Sequence, residues 1–359
     1  MAKKNSEGRL VDISSNTQVM KLYNKKGRAL RIVSLVLSII FLLSGSAILA
    51  YNYMFLDSFN YRAQKQISDD QVKDPNSLKS NDLISNDKVL NIMLFGEDDR
   101  EGEQYGRTDT MILLSIDNIH KKLKLTSFQR DTYVYIPGTD SYNKINASYT
   151  MGGADLSIKT IESNFGIKID KYAIVDFDGF KNIIDKLGGV EMELTQDEID
   201  YINYQMYKNG QVDSRTTITD PPGKVRLNGQ EALWYARDRG LTKGEDGNEI
   251  GLQGDDWDRT SRQRKLLTTL VDDMRGKDLT TIIDIATSIG PMITTNLKKD
   301  DITFLLTRSP KYLSYDVVQN YVPQQNLWYY NNDTPVGSVI AITDMQAQRV
   351  ALKEFIYDN

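Results

Sequence analysis

The chain has 359 residues, 40% hydrophobic and 26% charged, which sets aside general disorder and leaves room for one large or two modest domains. It carries no cysteine and one histidine, His120, so disulfides, thiolate nucleophiles, Cys-based zinc sites and in effect a Ser-His-Asp triad are excluded. Any chemistry must run on carboxylates, arginines, lysines and hydroxyls.

The net charge of −5 is unevenly spread: residues 1–31 hold eight Lys/Arg against two acids, and the next 25, residues 32–56, hold no charge. A helix rising about 1.5 Å per residue over that stretch spans the roughly 30 Å hydrocarbon core of a bilayer. Residues 1–31 are therefore expected to form a cytoplasmic basic tail. Residues 32–56 are expected to be a retained transmembrane helix rather than a cleaved signal peptide or a core helix, with Tyr51 and Tyr53 at the far interface. Everything after it would lie outside the cell membrane. That part has 36 basic and 47 acidic residues, a net −11, and both topology and charge argue against nucleic acid. An exported chain without cysteine fits a Gram-positive envelope.

Residues 57–87 are polar without apolar periodicity and read as an extracellular spacer, with the folded domain occupying 88–359. Residues 89–95, ended by Gly96, and 111–116 read as buried strands, while 122–128 alternates and reads as a sheet edge or half-buried strand. Asp117-Asn118 is turn chemistry, so His120 is expected to face water. Helices then alternate with strands: helix 154–165, strand 172–177, helix 180–187 stopped by Gly188-Gly189, and strand 190–194. This is an α/β pattern. A polar loop is expected over 208–226, followed by a helix capped by Asn228 with Glu231 three residues on. A Gly- and acid-rich loop at 240–254 precedes a strong helix at 257–274. Amphipathic segments at 278–289 and 300–307, a strand at 338–342 and a C-terminal helix complete the chain.

Charged residues gather at strand ends, where open α/β sheets place their ligand crevice: Gly96-Glu-Asp-Asp-Arg100, Arg107-Thr-Asp-Thr110 and Arg130-Asp131. Each alone is what a solvated turn would show. The second half adds Arg237 and Arg239 at a helix exit, and Arg259, Arg262 and Gln263 at i, i+3 and i+4 on one helix face that continues into Leu266 and Leu270. Guanidinium groups on an inward face need counter-anions. Either a ligand supplies them or the nearby acids Asp255, Asp256 and Asp258 do. Arginine forks suit phosphate oxygens, and aspartates together with phosphates are how Mg²⁺ is usually held. The composition of this crevice thus suggests a diphosphate bridged by Mg²⁺.

In these motifs the chain resembles the LytR-CpsA-Psr (LCP) family of Gram-positive envelopes. The resemblance rests on Gly96-Glu-Asp-Asp-Arg100, Arg107-Thr-Asp-Thr110, Ser127-Phe-Gln-Arg-Asp-Thr132, Lys144-Ile-Asn-Ala147 with Gly152-Gly153, Leu187-Gly-Gly-Val190, Leu227-Asn-Gly-Gln-Glu-Ala-Leu233, Tyr235-Ala-Arg-Asp-Arg239 and Asp258-Arg-Thr-Ser-Arg-Gln263. It implies a mixed central sheet sandwiched between helices (α/β/α), with a hydrophobic groove for a polyprenyl chain. The implied activity is transfer of an anionic glycopolymer, such as wall teichoic acid or capsule, from undecaprenyl diphosphate to peptidoglycan by Mg²⁺- or Mn²⁺-assisted phosphoryl transfer, with a diphosphatase side activity allowed. By motif, Asp98 and Asp109 match metal ligands, and Arg100, Arg107 and Arg130 match arginines facing the diphosphate. Arg237, Arg239, Arg259 and Gln263 match residues closing on the same group. Asp109, Arg107, Arg130, Arg237 and Arg239 are the expected catalytic set. Gln129, where the family often has proline, and Asp258, where a small residue is common, depart from the pattern. A non-catalytic polyprenyl-phosphate-binding scaffold is the main alternative. A transcription attenuator would need a larger cytoplasmic part.

Overall fold

The computed structural model of the chain describes residues 59–99, 104–212, 217–240 and 254–358. It adds the backbone of two short antiparallel pairs, Lys3–Lys4 with Leu10–Val11 and Thr242–Lys243 with Glu249–Ile250. The expected transmembrane helix 32–56, nearly all of the basic tail, and Arg100 lie outside the described residues. Among the described residues no helix is long and apolar enough to cross a membrane.

In chain order the elements are β1 (Asn60–Tyr61), β2 (Val89–Asp98), β3 (Arg107–Asp117), β4 (Lys122–Phe128), β5 (Tyr133–Ile136), β6 (Ser141–Lys144), α1 (Ala147–Phe165), β7 (Lys171–Asp176), α2 (Phe177–Lys186), β8 (Val190–Leu194), α3 (Gln196–Lys208), β9 (Gly223–Leu227), α4 (Gly229–Arg237), α5 (Asp256–Met274), α6 (Leu279–Ile289), β10 (Thr294–Thr295), α7 (Lys299–Leu313), β11 (Asp316–Val322), β12 (Trp328–Asn331), β13 (Val339–Ile342) and α8 (Met345–Lys353). Seven strands form one mixed sheet in the order β11-β4-β3-β2-β7-β10-β1.

Side chains alternate across a strand, so each central strand feeds two cores. Met93, Phe95, Met111, Leu113 and Phe128 pack against Ile158, Ile161 and Phe165 of α1 and Leu352 of α8. Their neighbours Ile92, Ile116 and Leu123 point the other way, towards Tyr312 of α7 and partly buried Val271 of α5. The sheet therefore lies between two helical layers, as expected. A third core, with Ile184, Val190, Ile202, Leu227 and Leu266, unites the β8–β9 ribbon with α2, α3, α4 and α5.

The structure corrects several expectations. β4 is interior, because β11 pairs with it in parallel along all seven residues. Its alternating pattern hides Lys124, whose Nζ lies 2.7 Å from Asp117 Oδ2 with both side chains at or below 1% exposure, and donates to the Ile356 carbonyl at 2.9 Å. His120 is not simply solvated, since its Nδ1 closes on Asp117 at 2.7 Å. α1 begins at Ala147 rather than at 154, with a break at Gly152-Gly153. Gly153 has φ +63°, and a Cβ there would sit 2.8 Å from the Tyr105 ring. Nor are residues 59–87 a spacer. β1 pairs with β10, Tyr172 Oη donates to the Arg62 carbonyl at 2.8 Å, Leu78 N–H to Ser163 O at 2.7 Å, and Lys159 pairs with Asp69. Backbone bonds and ion pairs hold this stretch, which is why it shows no apolar period. α3, β11 and β12 are further elements that periodicity did not reveal.

Removing Lys124 takes from the buried Asp117 carboxylate its one buried cation, leaving it His120 and the backbone N–H groups of Ile119 and His120. Lys124→Met is expected to cost about 3–5 kcal/mol in urea unfolding, and Lys124→Met with Asp117→Asn to recover most of it. Burial raises the Asp117 pKa, but the hydrogen bonds from Lys124 and His120 outweigh it and the net shift is downward. The pair's contribution is thus present above the unfolded carboxyl value of about 3.9 and lost as pH falls through the lower folded value. The double variant should lose that part of the acid dependence.

Candidate active site

β2, β4, β7 and β11 run parallel to one another, so their C-terminal ends open on one side of the sheet, where β3 begins. The β2–β3 register slips there. Gly96 faces Thr110 and Glu97 faces Thr108, leaving Asp109 as the extra residue of a β-bulge. Bulges re-aim side chains at sheet ends, and this one frees Asp109 from cross-strand pairing. One rung further, Asp98 faces Arg107.

Three guanidinium groups converge on Asp109 Oδ2: Arg130 Nη1 at 2.9 Å, Arg239 Nη2 at 2.7 Å and Arg259 Nη1 at 3.5 Å. Arg259 Nη2 also donates to the Asp109 carbonyl at 2.9 Å. A second carboxylate, Asp256 in the first turn of α5, takes Arg259 at 3.1 Å, Arg130 at 3.3 Å and Arg239 at 3.8 Å. Asp131 adds a third, 3.4 Å from Arg130 and 2.8 Å from Lys144. Arg259 is only 2% exposed, so it depends on these anions.

The cluster separates its acids. Burial raises Asp109, but Arg130, Arg259 and Arg239 outweigh it and hold the carboxyl below its usual value. At Asp256 burial prevails over the same arginines and the pKa is raised. Burial pulls Arg259 down to about 10, which leaves it charged at neutral pH. At Arg130 burial is outweighed by Asp256 and Asp109, and its pKa rises.

Arg237 is placed differently from its neighbour Arg239. Its guanidinium lies over the rings of Phe177 (4.6 Å) and Trp234 (5.2 Å), exposed, with no carboxylate in ion-pair range among the described residues. Together with Gln263 it borders an apolar cavity of about 220 Å³ walled by Leu94, Ile112, Val175, Ile184, Leu266 and Leu270. Gln263 Nε2 donates to Ala236 O at 3.2 Å, while its buried Oε1 has no partner. Arg262 holds the α4 exit in place, reaching Asp238 O at 3.0 Å, Asp238 Oδ2 at 3.3 Å and Glu198 Oε1 at 3.3 Å.

Of the expected site residues, Asp109, Arg130, Arg239 and Arg259 meet directly, Arg237 and Gln263 adjoin them at the cavity, and Asp98 and Arg107 form a cross-strand pair at the same end of the sheet. Asp131 and the positioning residue Arg262 were not assigned roles from sequence, whereas Asp256 is the one of the three nearby acids expected as possible counter-anions that pairs with the arginines, at the i, i+3 spacing to Arg259. Asp255 and Asp258 serve as a helix cap rather than as arginine partners. Both departures from the family pattern are accommodated: Asp258 completes that cap, and Gln129 Nε2 donates to Thr260 Oγ1 at 2.9 Å, tying the β4 end to α5.

The domain is thus an α/β/α sheet with an arginine–aspartate cluster at its strand ends and an apolar cavity beside it. The LytR_cpsA_psr family model matches residues 51–350, and the chain belongs to that family. It is 31% identical over 283 residues, 76% of this chain and 78% of the relative, to Polyisoprenyl-teichoic acid–peptidoglycan teichoic acid transferase TagU of Oceanobacillus iheyensis. It is 35% identical over 215 residues to the TagV enzyme of the same description from Bacillus subtilis, covering 59% of this chain and half the length of that relative. Its fold also matches the solved structure of the LytR-CPS2A-psr family protein YwtF (TagT) with bound octaprenyl pyrophosphate lipid (TM-score 0.55, 21% identity, 82% of this chain and 99% of that one).

Two arginine variants should separate structure from binding. Arg259→Ala removes one of the three guanidinium groups on Asp109 and Asp256 and is expected to lower stability by about 1–3 kcal/mol. Arg237→Ala should leave thermal unfolding within about 0.5 kcal/mol of wild type but weaken inorganic diphosphate binding by about 2–5 kcal/mol in calorimetric titration. Unchanged affinity in the second variant would make Arg237 a surface residue.

Proposed function

We propose that this chain transfers an anionic glycopolymer from a polyprenyl-diphosphate carrier to peptidoglycan at the outer face of the cell membrane. One observation carries the reading: the apolar cavity ends at Arg237 and Gln263, beside the cluster of Arg130, Arg239 and Arg259. Only a ligand with a long apolar tail and a compact multiple negative charge uses both halves. The names of the TagU and TagV relatives and the lipid bound to the TagT structure point the same way.

In this reading the prenyl chain enters the cavity and the arginines take the diphosphate oxygens. A hydroxyl of the acceptor glycan attacks the phosphorus nearest the polymer, the bond from that phosphorus to the bridging oxygen breaks, and polyprenyl phosphate leaves. Arg107, Arg130, Arg237 and Arg239 neutralise charge on the equatorial and leaving oxygens. Asp109, 41% exposed against 17% for Asp256, is ionised throughout the neutral range, and it or another nearby carboxylate accepts the hydroxyl proton.

The donor set also suits a divalent ion. No group of three or more acids or histidines among the described residues could hold a metal unaided. Asp109 keeps Oδ1 clear of the hydrogen bonds that bind Oδ2, and Mg²⁺ commonly relies on one or two carboxylates with substrate phosphates and water. Asp98 and Asp109 would hold Mg²⁺ or Mn²⁺, which when bound would supply charge neutralisation on the diphosphate.

Asp98→Ala and Asp109→Ala are each expected to remove metal-dependent transfer or diphosphate cleavage while weakening lipid binding less than turnover, and EDTA should reproduce the loss. Full turnover by either variant, or turnover indifferent to EDTA, would favour a lipid-binding scaffold.

A further inference from the structure

Beside the arginine cluster the chain builds an aromatic surface that the diphosphate chemistry does not use. The β12–β13 hairpin is separate from the seven-stranded sheet and sets Trp328 opposite Ile342 and Tyr330 opposite Ile340. Trp257, the residue after Asp256, stacks on Trp328 with centroids 4.7 Å apart and planes 27° apart, and its Nε1–H donates to Tyr330 Oη at 3.3 Å. Tyr330 meets Trp328 edge-on at 5.0 Å, and Tyr321 braces Trp257 at 5.3 Å. The rings are packed on one another yet not buried, for Tyr330 is 54% exposed and Trp328 half-buried. Exposed aromatic groups held in fixed geometry mark interaction surfaces more than cores.

The location ties this surface to the reaction centre. Ile340, the cross-strand partner of Tyr330, donates its N–H to the Asp131 carbonyl at 2.9 Å and bridges to Thr132. Two strand spacings, roughly 10 Å, thus separate Tyr330 from the segment that carries Asp131 and Arg130. At its other end Trp257 adjoins Asp256 directly.

The surrounding chemistry selects the ligand. Residues 322–337 contain five side-chain amides, at 324, 325, 326, 331 and 332, and a single charged residue, Asp333. An anionic polymer or lipid headgroup would call for cations there. Ring faces with a negative quadrupole attract the C–H face of a pyranose, and amides pair with hydroxyl and acetamido groups.

We infer that the Trp257–Trp328–Tyr330 surface is a saccharide-binding platform that seats the acceptor, an uncharged N-acetylated stretch of glycan strand, with its hydroxyl directed to the arginine cluster. The acceptor role rests on the transferase reading above, whereas the glycan site itself stands on the ring geometry.

The test titrates the chain in detergent with the tetramer and the hexamer of N-acetylglucosamine, both uncharged, read by tryptophan fluorescence. Trp328→Ala and Tyr330→Ala should each weaken glycan binding by about 10-fold, equivalent to about 1.4 kcal/mol. Trp328→Phe should stay near wild type, and inorganic diphosphate binding should not change in any of the three variants. In a transfer assay the two alanine variants should raise the KM for acceptor with little change in kcat. The inference is overturned if wild type binds neither glycan, if both alanine variants bind as wild type does, or if diphosphate affinity falls in step with glycan affinity. Failure of the transferase reading would look different: glycan binding would remain sensitive to Trp328 and Tyr330 in a protein that moves no polymer, and the site would stand.

Discussion

A guanidinium group that is 98% buried has to be neutralised, and the position of Arg259 organises the whole strand-end face of this domain. Its two counter-anions come from different places. Asp256 is supplied three residues earlier on the same helix, and Asp109 is supplied by a bulge in the β2–β3 ladder. Their shared cation pins α5 onto the sheet. Arg130 and Arg239 then join the same two carboxylates from the β4 end and the α4 exit, so four segments meet through one charge network.

The network also bears on the anion binding proposed for this face. Arg130, Arg239, Arg259 and Lys144 exceed Asp109, Asp256 and Asp131 by one positive charge, and Asp109 and Asp256 differ in proton affinity because cations prevail at the first and burial at the second. A diphosphate would compete with Asp109 for the same forks, and a divalent ion held by Asp98 and Asp109 would offset the repulsion between the two anions. Helix α5 links this charged end to the apolar one: Arg259, Arg262 and Gln263 lead along one face to Leu266 and Leu270, which wall the cavity. Arg262, buried against Asp238 and Glu198, fixes where the α4 exit delivers Arg237 and Arg239.

Much of this was legible in the sequence, for identifiable reasons. The buried strands β2 and β3 declared themselves as apolar runs, the capping box at Asn228 and Glu231 marked the start of α4, and the i, i+3, i+4 stripe on α5 indicated that its arginines faced inward. What stayed hidden depends on contacts between segments distant in the chain. Lys124 looked like the polar side of an edge strand because its partner Asp117 belongs to the neighbouring strand. Residues 59–87 looked like a spacer because they are held by backbone pairing. The role of Asp109 needed the bulge, which no spacing rule reveals, and the ring cluster joins Trp257 to residues about seventy positions later.

The central claim is that one ligand occupies the apolar cavity and the arginine cluster together. The most direct measurement compares the affinities of inorganic diphosphate and octaprenyl diphosphate in wild type and in a variant whose cavity is filled from its partly open side, Leu267→Trp. Burial of the prenyl chain should give wild type at least about a 100-fold preference for the lipid, equivalent to about 2.8 kcal/mol. Leu267→Trp should remove most of that preference and leave inorganic diphosphate binding intact. Equal affinity for both ligands in wild type, or a preference that survives the filled cavity, would contradict the account.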